Sequence, residues 1–318
     1  MNMKRRQWLR GAAAMAAAGA WPLCANEAAP FEVLDLDWED RARQRAVPVR
    51  LHLPNSPQRL PLVVFSHGIG GSRRGYSWLG QHLARQGVAS LHLQHVGSDR
   101  QIWTGGSVFN IVGRLQGAAQ DQEAVARVHD LRFALDTLLR SEWAARIDEQ
   151  RLVAAGHSYG ANTTLLACGA RVERAGRLHD LRDERLRAAV VISAPPFYGE
   201  ADPSRILQSV TVPSLHVTCT EDIIRIPGYY SGAEDRVAVF DATGSARKWL
   251  AVFQGGSHSM FTDRAGSGGA GLNPQVKDAS RALVLAFLHQ VLDGESRALQ
   301  QWPQRHVGIL ARFSAPGA

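Results

Sequence analysis

The stretch 153–162 constrains this chain more than any other. A short apolar run, Val153-Ala154-Ala155, ends in Gly156-His157-Ser158-Tyr159-Gly160, and a helical pattern of small and apolar residues follows through Leu165, Leu166 and Ala167. A strand, a Gly-x-Ser-x-Gly turn and a helix, in that order, put the serine on a sharp corner above the end of the strand. Glycines flank it because such a corner brings backbone segments too close for a Cβ. The N-terminus of the following helix turns free N–H groups and its positive dipole end toward the serine. Gly-x-Ser-x-Gly also arises by accident in surface turns. The strand before and the helix after make this copy a candidate nucleophile elbow.

The rest of the chain supplies a parallel sheet for such a corner. Leu62-Val63-Val64-Phe65-Ser66 is continuously apolar, like a strand buried on both faces of a parallel sheet. It runs into His67-Gly68-Ile69-Gly70-Gly71-Ser72, then a helical pattern over 76–86 and a strand over 88–93, which together make a βαβ unit. Upstream, 31–36 alternates and 47–53 reads as a second strand, with Pro54-Asn55-Ser56-Pro57 as a turn. Downstream, 97–106 reads as loop. An amphipathic helix over 124–139 has Val125, Val128, Leu131, Leu135 and Leu138 on one face. The elbow strand is expected at 152–155, and further strands at 188–193, 214–218 and 248–253. The segment 171–187, dense in arginine and acids, reads as a solvated helix or an excursion over the sheet. A terminal helix is expected over 279–292. No repeat or linker-like change of composition interrupts this order, so 29–318 is expected to form a single α/β domain.

The first 28 residues read differently. Lys4, Arg5, Arg6 and Arg10 precede an alanine-rich run, and small residues near Ala25 or Ala28 suit cleavage, which together make an export signal. Arg5-Arg6-x-Trp8-Leu9-Arg10 resembles a twin-arginine signal, with tryptophan where phenylalanine is commoner, and places the mature protein in the periplasm or outside the cell. Trp21 occupies the place where a lipoprotein box wants leucine, so Cys24 is not read as a lipid anchor. Of the formal net charge of +7, those four cations supply four, leaving +3 for the remainder. With no basic stripe interleaved with aromatics, no nucleic-acid partner is expected. Nor does any apolar run beyond the first two dozen residues reach the length of a membrane span. Cys168 and Cys219 would remain in an oxidising compartment. Cys168 lies about three helical turns below the elbow, roughly 15 Å away, whereas Cys219 closes a strand at the elbow end. Two buried free thiols are therefore expected.

A serine hydroxyl needs a histidine to take its proton and a carboxylate to hold that histidine's tautomer. In doubly wound sheets such groups gather at the carboxyl ends of strands. Three strands end suitably, in the chain order Ser158, Asp222, His258. Glu221 is the nearest rival to Asp222, while Asp202, Asp235 and Asp241 lie further from a strand end. Among the histidines, His216 falls inside a strand, His179 precedes the acid and His289 lies within the last helix. The oxyanion of an acyl-transfer intermediate would be held by the N–H of Tyr159 and by one from the loop His67-Gly68-Ile69, assigned to Ile69. Trp103, Phe197 and Tyr198 are the loop aromatics expected at the mouth of a substrate pocket. Gly266-x-Gly268-x-x-Gly271 matches a dinucleotide fingerprint in letters only, because no strand precedes it. His92-x-x-His95 lacks a third ligand at convincing spacing, so no metal is expected.

At these residues the sequence resembles the α/β-hydrolase superfamily. The resemblance is closest to the dienelactone-hydrolase-like branch that includes platelet-activating-factor acetylhydrolases, chlorophyllase-like enzymes and bacterial cutinase-like polyesterases. It rests on Ser66-His67-Gly68-Ile69-Gly70-Gly71, Gly156-His157-Ser158-Tyr159-Gly160, Thr220-Glu221-Asp222 and Gly256-Ser257-His258. It implies a mostly parallel sheet flanked by helices and hydrolysis of carboxylic esters with short or medium acyl groups, without cofactor. The substrate would be a small-molecule or lipid-like ester. Dienelactone hydrolases use a cysteine nucleophile, so Ser158 argues against dienelactone itself. A lipase or polyesterase is the alternative within the class, and a binding protein on a hydrolase scaffold the alternative outside it. The sequence assigns no oligomeric state.

Overall fold

The computed structural model describes residues 30–104, 107–174, 176–200, 202–226 and 228–317, without the side chains of Val108 and Phe109. The expected export signal and Cys24 lie outside the described residues.

A nine-stranded sheet organises the chain. Its strands are β1 (Phe31–Asp40), β2 (Arg45–Pro54), β3 (Leu60–Ser66), β4 (Ala89–Leu93), β5 (Ile147–His157), β6 (Leu186–Ile192), β7 (Ser214–Cys219), β8 (Lys248–Phe253) and β9 (Leu310–Ser314). In space they run β1-β2-β4-β3-β5-β6-β7-β8-β9. The six from β4 to β8 are mutually parallel. The pairs β1–β2, β2–β4 and β8–β9 are antiparallel.

The central strands are apolar because both of their faces are covered. Along β3 every residue is buried. Leu62 and Val64 pack toward helices α3 (Asp121–Leu138) and α4 (Tyr159–Ala167), whereas Val63 and Phe65 pack toward α1 (Ser77–Arg85), α7 (Leu272–Leu288) and α8 (Arg297–Arg305). Successive side chains on a strand face opposite ways, so one apolar run feeds both cores. Helix α4 is buried along nearly its whole length, wedged between the sheet and α3. This position fixes the elbow rigidly.

Several elements differ from the sequence expectation. A helix α2 (Val108–Ala118) lies beyond the stretch 97–106 expected as loop, of which Arg100–Trp103 forms a short 3-10 turn, and Gly113 and Gly117 weaken its helical signal in the sequence. Among its described residues the segment 171–187 takes the second of its two expected forms, an excursion rather than a helix. It forms a hairpin, Arg171–Arg174 paired with Arg177–Asp180, turning at Gly176 with φ +72° and tied by an Arg171–Asp180 ion pair. The short helices α5 (Pro203–Leu207) and α6 (Ala233–Ala242) follow, with a second small hairpin, Ile224–Ile226 with Tyr229–Ser231, between them. The helix expected to be terminal is not, for α8 and the edge strand β9 come after it. Half-exposed β9 lacks the continuous apolar run that marks the inner strands.

Candidate active site

Ser158 sits at the turn between β5 and α4 with φ +55° and ψ −126°, a conformation costly for a residue with a Cβ. Close packing imposes it. A Cβ on Gly156 would lie 2.1 Å from the Gly160 carbonyl oxygen, and one on Gly160 would lie 1.9 Å from that of Ser66. The Ser158 N–H is anchored to the Ile192 carbonyl at 2.9 Å.

Asp222 and His258 reach Ser158 from the ends of the neighbouring strands β7 and β8. Ser158 Oγ lies 2.8 Å from His258 Nε2, and His258 Nδ1 lies 2.7 Å from Asp222 Oδ1. Asp222 is fully buried. Burial alone would raise its pKa, but the hydrogen bond and charge of His258 and the charge of Arg236 hold it well below the usual carboxylate range. Thr218 Oγ1 donates to Asp222 Oδ2 at 2.8 Å, and Arg236 Nη2 lies 3.5 Å from Oδ1. The loop presenting His258 turns on Gly255 and Gly256, both at positive φ, and Gly268 of the glycine-rich turn packs against it. Glu221 is exposed.

The loop after β3 passes directly beside the nucleophile, since a Cβ on Gly68 would come within 3.1 Å of Ser158 Cβ. Tyr159 opens α4, so its N–H has no intrahelical acceptor. Among the described residues the Ile69 N–H also has no acceptor. The loop itself is tied on both sides of Gly68. The His95 N–H donates to His67 Nε2 at 3.1 Å, which leaves His67 Nδ1 to donate to the Gly68 carbonyl at 2.7 Å. The Gly68 N–H donates to the Tyr76 hydroxyl at 3.2 Å, and that hydroxyl lies 2.8 Å from His157 Nδ1. The other nitrogen of His157 lies 3.0 Å from the His258 carbonyl. One neutral histidine thus joins the elbow, the glycine loop and the His258 loop. Burial, followed by the charge of His258, pushes its pKa down to about 3.

A cavity of about 270 Å³ opens beside Ser158. Ile69, Leu115, Ala124, Val125 and Leu166 line it, the two small hairpins close it with Val172, Ile224, Ile226 and Tyr229, and Gln120, Asp121 and Arg174 lie at its polar side. Phe197 and Tyr198 also line it. Trp103 does not. It stands 45% exposed over the glycine loop, donating Nε1–H to the Gly70 carbonyl at 2.9 Å. The 171–180 hairpin is therefore a wall of the cavity.

The arrangement can remove a proton from Ser158 through His258, with two free N–H groups nearby for a developing oxyanion. Residues 44–104 match the family model of platelet-activating factor acetylhydrolase, isoform II. The fold is that of the α/β-hydrolases. The matched stretch runs from β2 to the turn after β4 and includes the glycine loop, but not Ser158, Asp222 or His258. It supports a hydrolase of ester substrates. No curated protein matches the chain.

On this hydrolase fold the remaining sequence candidates have structural partners. His92 stacks on Phe65 and lies 3.2 Å from the Gly75 carbonyl. His95 bridges Asp130 and Ser66. Among the described residues no group of three His, Cys, Asp or Glu is placed to hold a metal ion. Cys168 and Cys219 are buried and unbridged. Tyr76 and Arg127 carry no local sequence signal because they act on partners distant in the chain, 81 residues away for Tyr76 and His157 and 60 for Arg127 and His67, whereas Arg236, only 14 residues from Asp222, lies on a helix where nothing in the sequence turns it toward the acid.

Proposed function

We propose that this chain is an exported serine esterase that cleaves carboxylic esters through an acyl-enzyme. The Asp222–His258–Ser158 hydrogen-bond series beside an apolar cavity carries the reading. Ser158 Oγ attacks the ester carbonyl while His258 takes its proton and then passes it to the leaving alcohol. Asp222 fixes the tautomer and stabilises the imidazolium. The Ile69 and Tyr159 N–H groups hold the oxyanion, and a water activated by His258 frees the acid. The twin-arginine-like segment supports export to the periplasm or beyond.

Cavity size points to medium acyl groups. At ~30 Å³ for a water-sized group, 270 Å³ holds a chain larger than acetyl. Turnover of p-nitrophenyl esters is expected to peak between butyryl and octanoyl. A fluorophosphonate probe should label the mature protein and not Ser158→Ala. A folded protein that neither labels nor turns over any ester would leave the binding-scaffold reading instead.

A lipase or polyesterase is the second reading. Exposed Trp103, Leu178, Ile223 and Tyr230 sit on the glycine loop or next to cavity-lining residues of the two hairpins. Turnover that rises to palmitoyl esters, with a jump above the concentration at which substrate aggregates, would favour it.

A further inference from the structure

Arg127, on α3, is the largest fully buried side chain among the described residues. Its Nε donates to Thr163 Oγ1 at 2.9 Å, Nη1 to Ser98 Oγ at 2.8 Å and Nη2 to the His67 carbonyl. Its guanidinium carbon lies 4.5 Å from the centre of the Tyr159 ring. His67, Tyr159 and Thr163 belong to the two pieces of backbone that carry the free N–H groups, and Ser98 to the loop after β4. His67 stands two residues before Ile69 in the glycine loop, and the Ser98 carbonyl holds that loop at the Gly70 N–H, 2.8 Å away. Tyr159 and Thr163 are on α4.

Among the described residues no carboxylate pairs directly with this cation. Glu123 is hydrogen-bonded to it only through the Ser98 hydroxyl, which donates to Glu123 Oε1 at 2.8 Å, and otherwise acts on it, like Asp130, through space. Asp130 is occupied by Arg43, Arg45 and His95. A buried guanidinium without a partner anion is costly and depresses its own pKa, here to about 10 through burial. Negative charge developing beside Tyr159 would relieve that cost, and would do so only while the oxyanion exists.

We propose that Arg127 is the positioning residue of the oxyanion hole. It clamps the loop bearing Ile69 to the helix bearing Tyr159, and its charge, which no carboxylate pairs directly, favours the anion between their N–H groups. The inference rests on the esterase reading and adds to it a residue that touches no substrate.

The test compares wild type with Arg127→Met, which keeps volume and removes charge. Active sites are counted by fluorophosphonate titration, and p-nitrophenyl octanoate is the substrate. Loss of kcat per site on the order of 10²-fold is expected, with KM within about threefold. An octyl trifluoromethyl ketone, which forms a tetrahedral adduct with serine, should weaken in parallel with kcat/KM. A variant that melts earlier but keeps kcat and ketone affinity would show a purely structural arginine and overturn the proposal. If Arg127→Met does not fold, Arg127→Lys and Thr163→Val replace it. Each should lower kcat several-fold at constant KM, and unchanged kcat in both would overturn it. Wild-type protein that neither labels nor turns over sinks the esterase reading, and the role of Arg127 with it. An active wild type beside an unimpaired Arg127→Met sinks only the latter.

Discussion

At Asp222 two opposing effects meet in one side chain. The carboxylate has no solvent to stabilise it, yet His258, Thr218 and Arg236 supply enough hydrogen bonds and charge to keep it ionised. Asp222→Asn keeps the shape and presents an amide to His258 Nδ1, which favours the wrong tautomer. A fall in kcat of about 10³- to 10⁴-fold is expected, with the fluorophosphonate reaction slowed similarly. Retention of a tenth of wild-type activity would remove Asp222 from the role proposed for it. Tyr76 tests the supporting network. Tyr76→Phe leaves the Gly68 N–H and His157 Nδ1 without their shared hydroxyl, at a cost of about 1–3 kcal/mol for buried groups left unpaired. Urea denaturation measures that loss. The sequence made Ser158, Asp222 and His258 legible because each closes a hydrophobic strand, a local pattern. Tyr76 and Arg127 were illegible because their partners become neighbours only once the sheet has formed.

The elbow is an element whose geometry leaves no freedom to its glycines. Gly160→Ala would drive a methyl into the Ser66 carbonyl, and no flexible side chain is there to yield. Relief requires β5 and α4 to separate from β3, so loss of several kcal/mol or failure to fold is expected. Gly113 in α2 offers the contrast. Nothing lies within 4 Å of a Cβ there and the position is exposed, so Gly113→Ala should stabilise by roughly 0.5–1 kcal/mol through helix propensity. Chemical denaturation of the two variants checks both, and a destabilised Gly113→Ala would show that α2 is not a continuous helix in solution. The same glycines explain which elements the sequence revealed. Inner strands such as β3 announce themselves by unbroken apolar runs. Helix α2 is muted by two glycines, and the 171–180 hairpin is masked by charges that pair across its strands. The edge strand β9 is half polar because only one of its sides is covered.

At the scale of the whole molecule, buried imidazoles set the response to acid. His52, His67, His92, His95, His157 and His216 are all nearly inaccessible. Burial, the largest cause for each, pushes His52 down to about 4 and His95, His157 and His216 to about 3, with His67 and His92 also held well below 6.5. The unfolded chain takes up protons near pH 6.5, whereas the native state refuses them until far lower pH. Between those limits the unfolded state binds more protons, so stability rises with pH and falls as the solution is acidified. The contribution is complete above about pH 6.5. Each histidine removes up to about 1.4 kcal/mol per pH unit below that, against a total stability of about 5–15 kcal/mol for a typical domain. Carboxylates act later. Asp35, lowered to about 2 chiefly by its hydrogen bond to Arg50, loses its share only below its ordinary value of 3.8. Acid unfolding is therefore expected at about pH 4–5.5, above the carboxylate range, driven by histidine protonation. A melting temperature followed by circular dichroism from pH 8 to 4 should be flat above pH 7 and then drop steeply. A temperature unchanged down to pH 4.5 would mean that these histidines either accept protons in the native state or gain no charge on unfolding, and the buried network around His67, His95 and His157 would have to be redrawn.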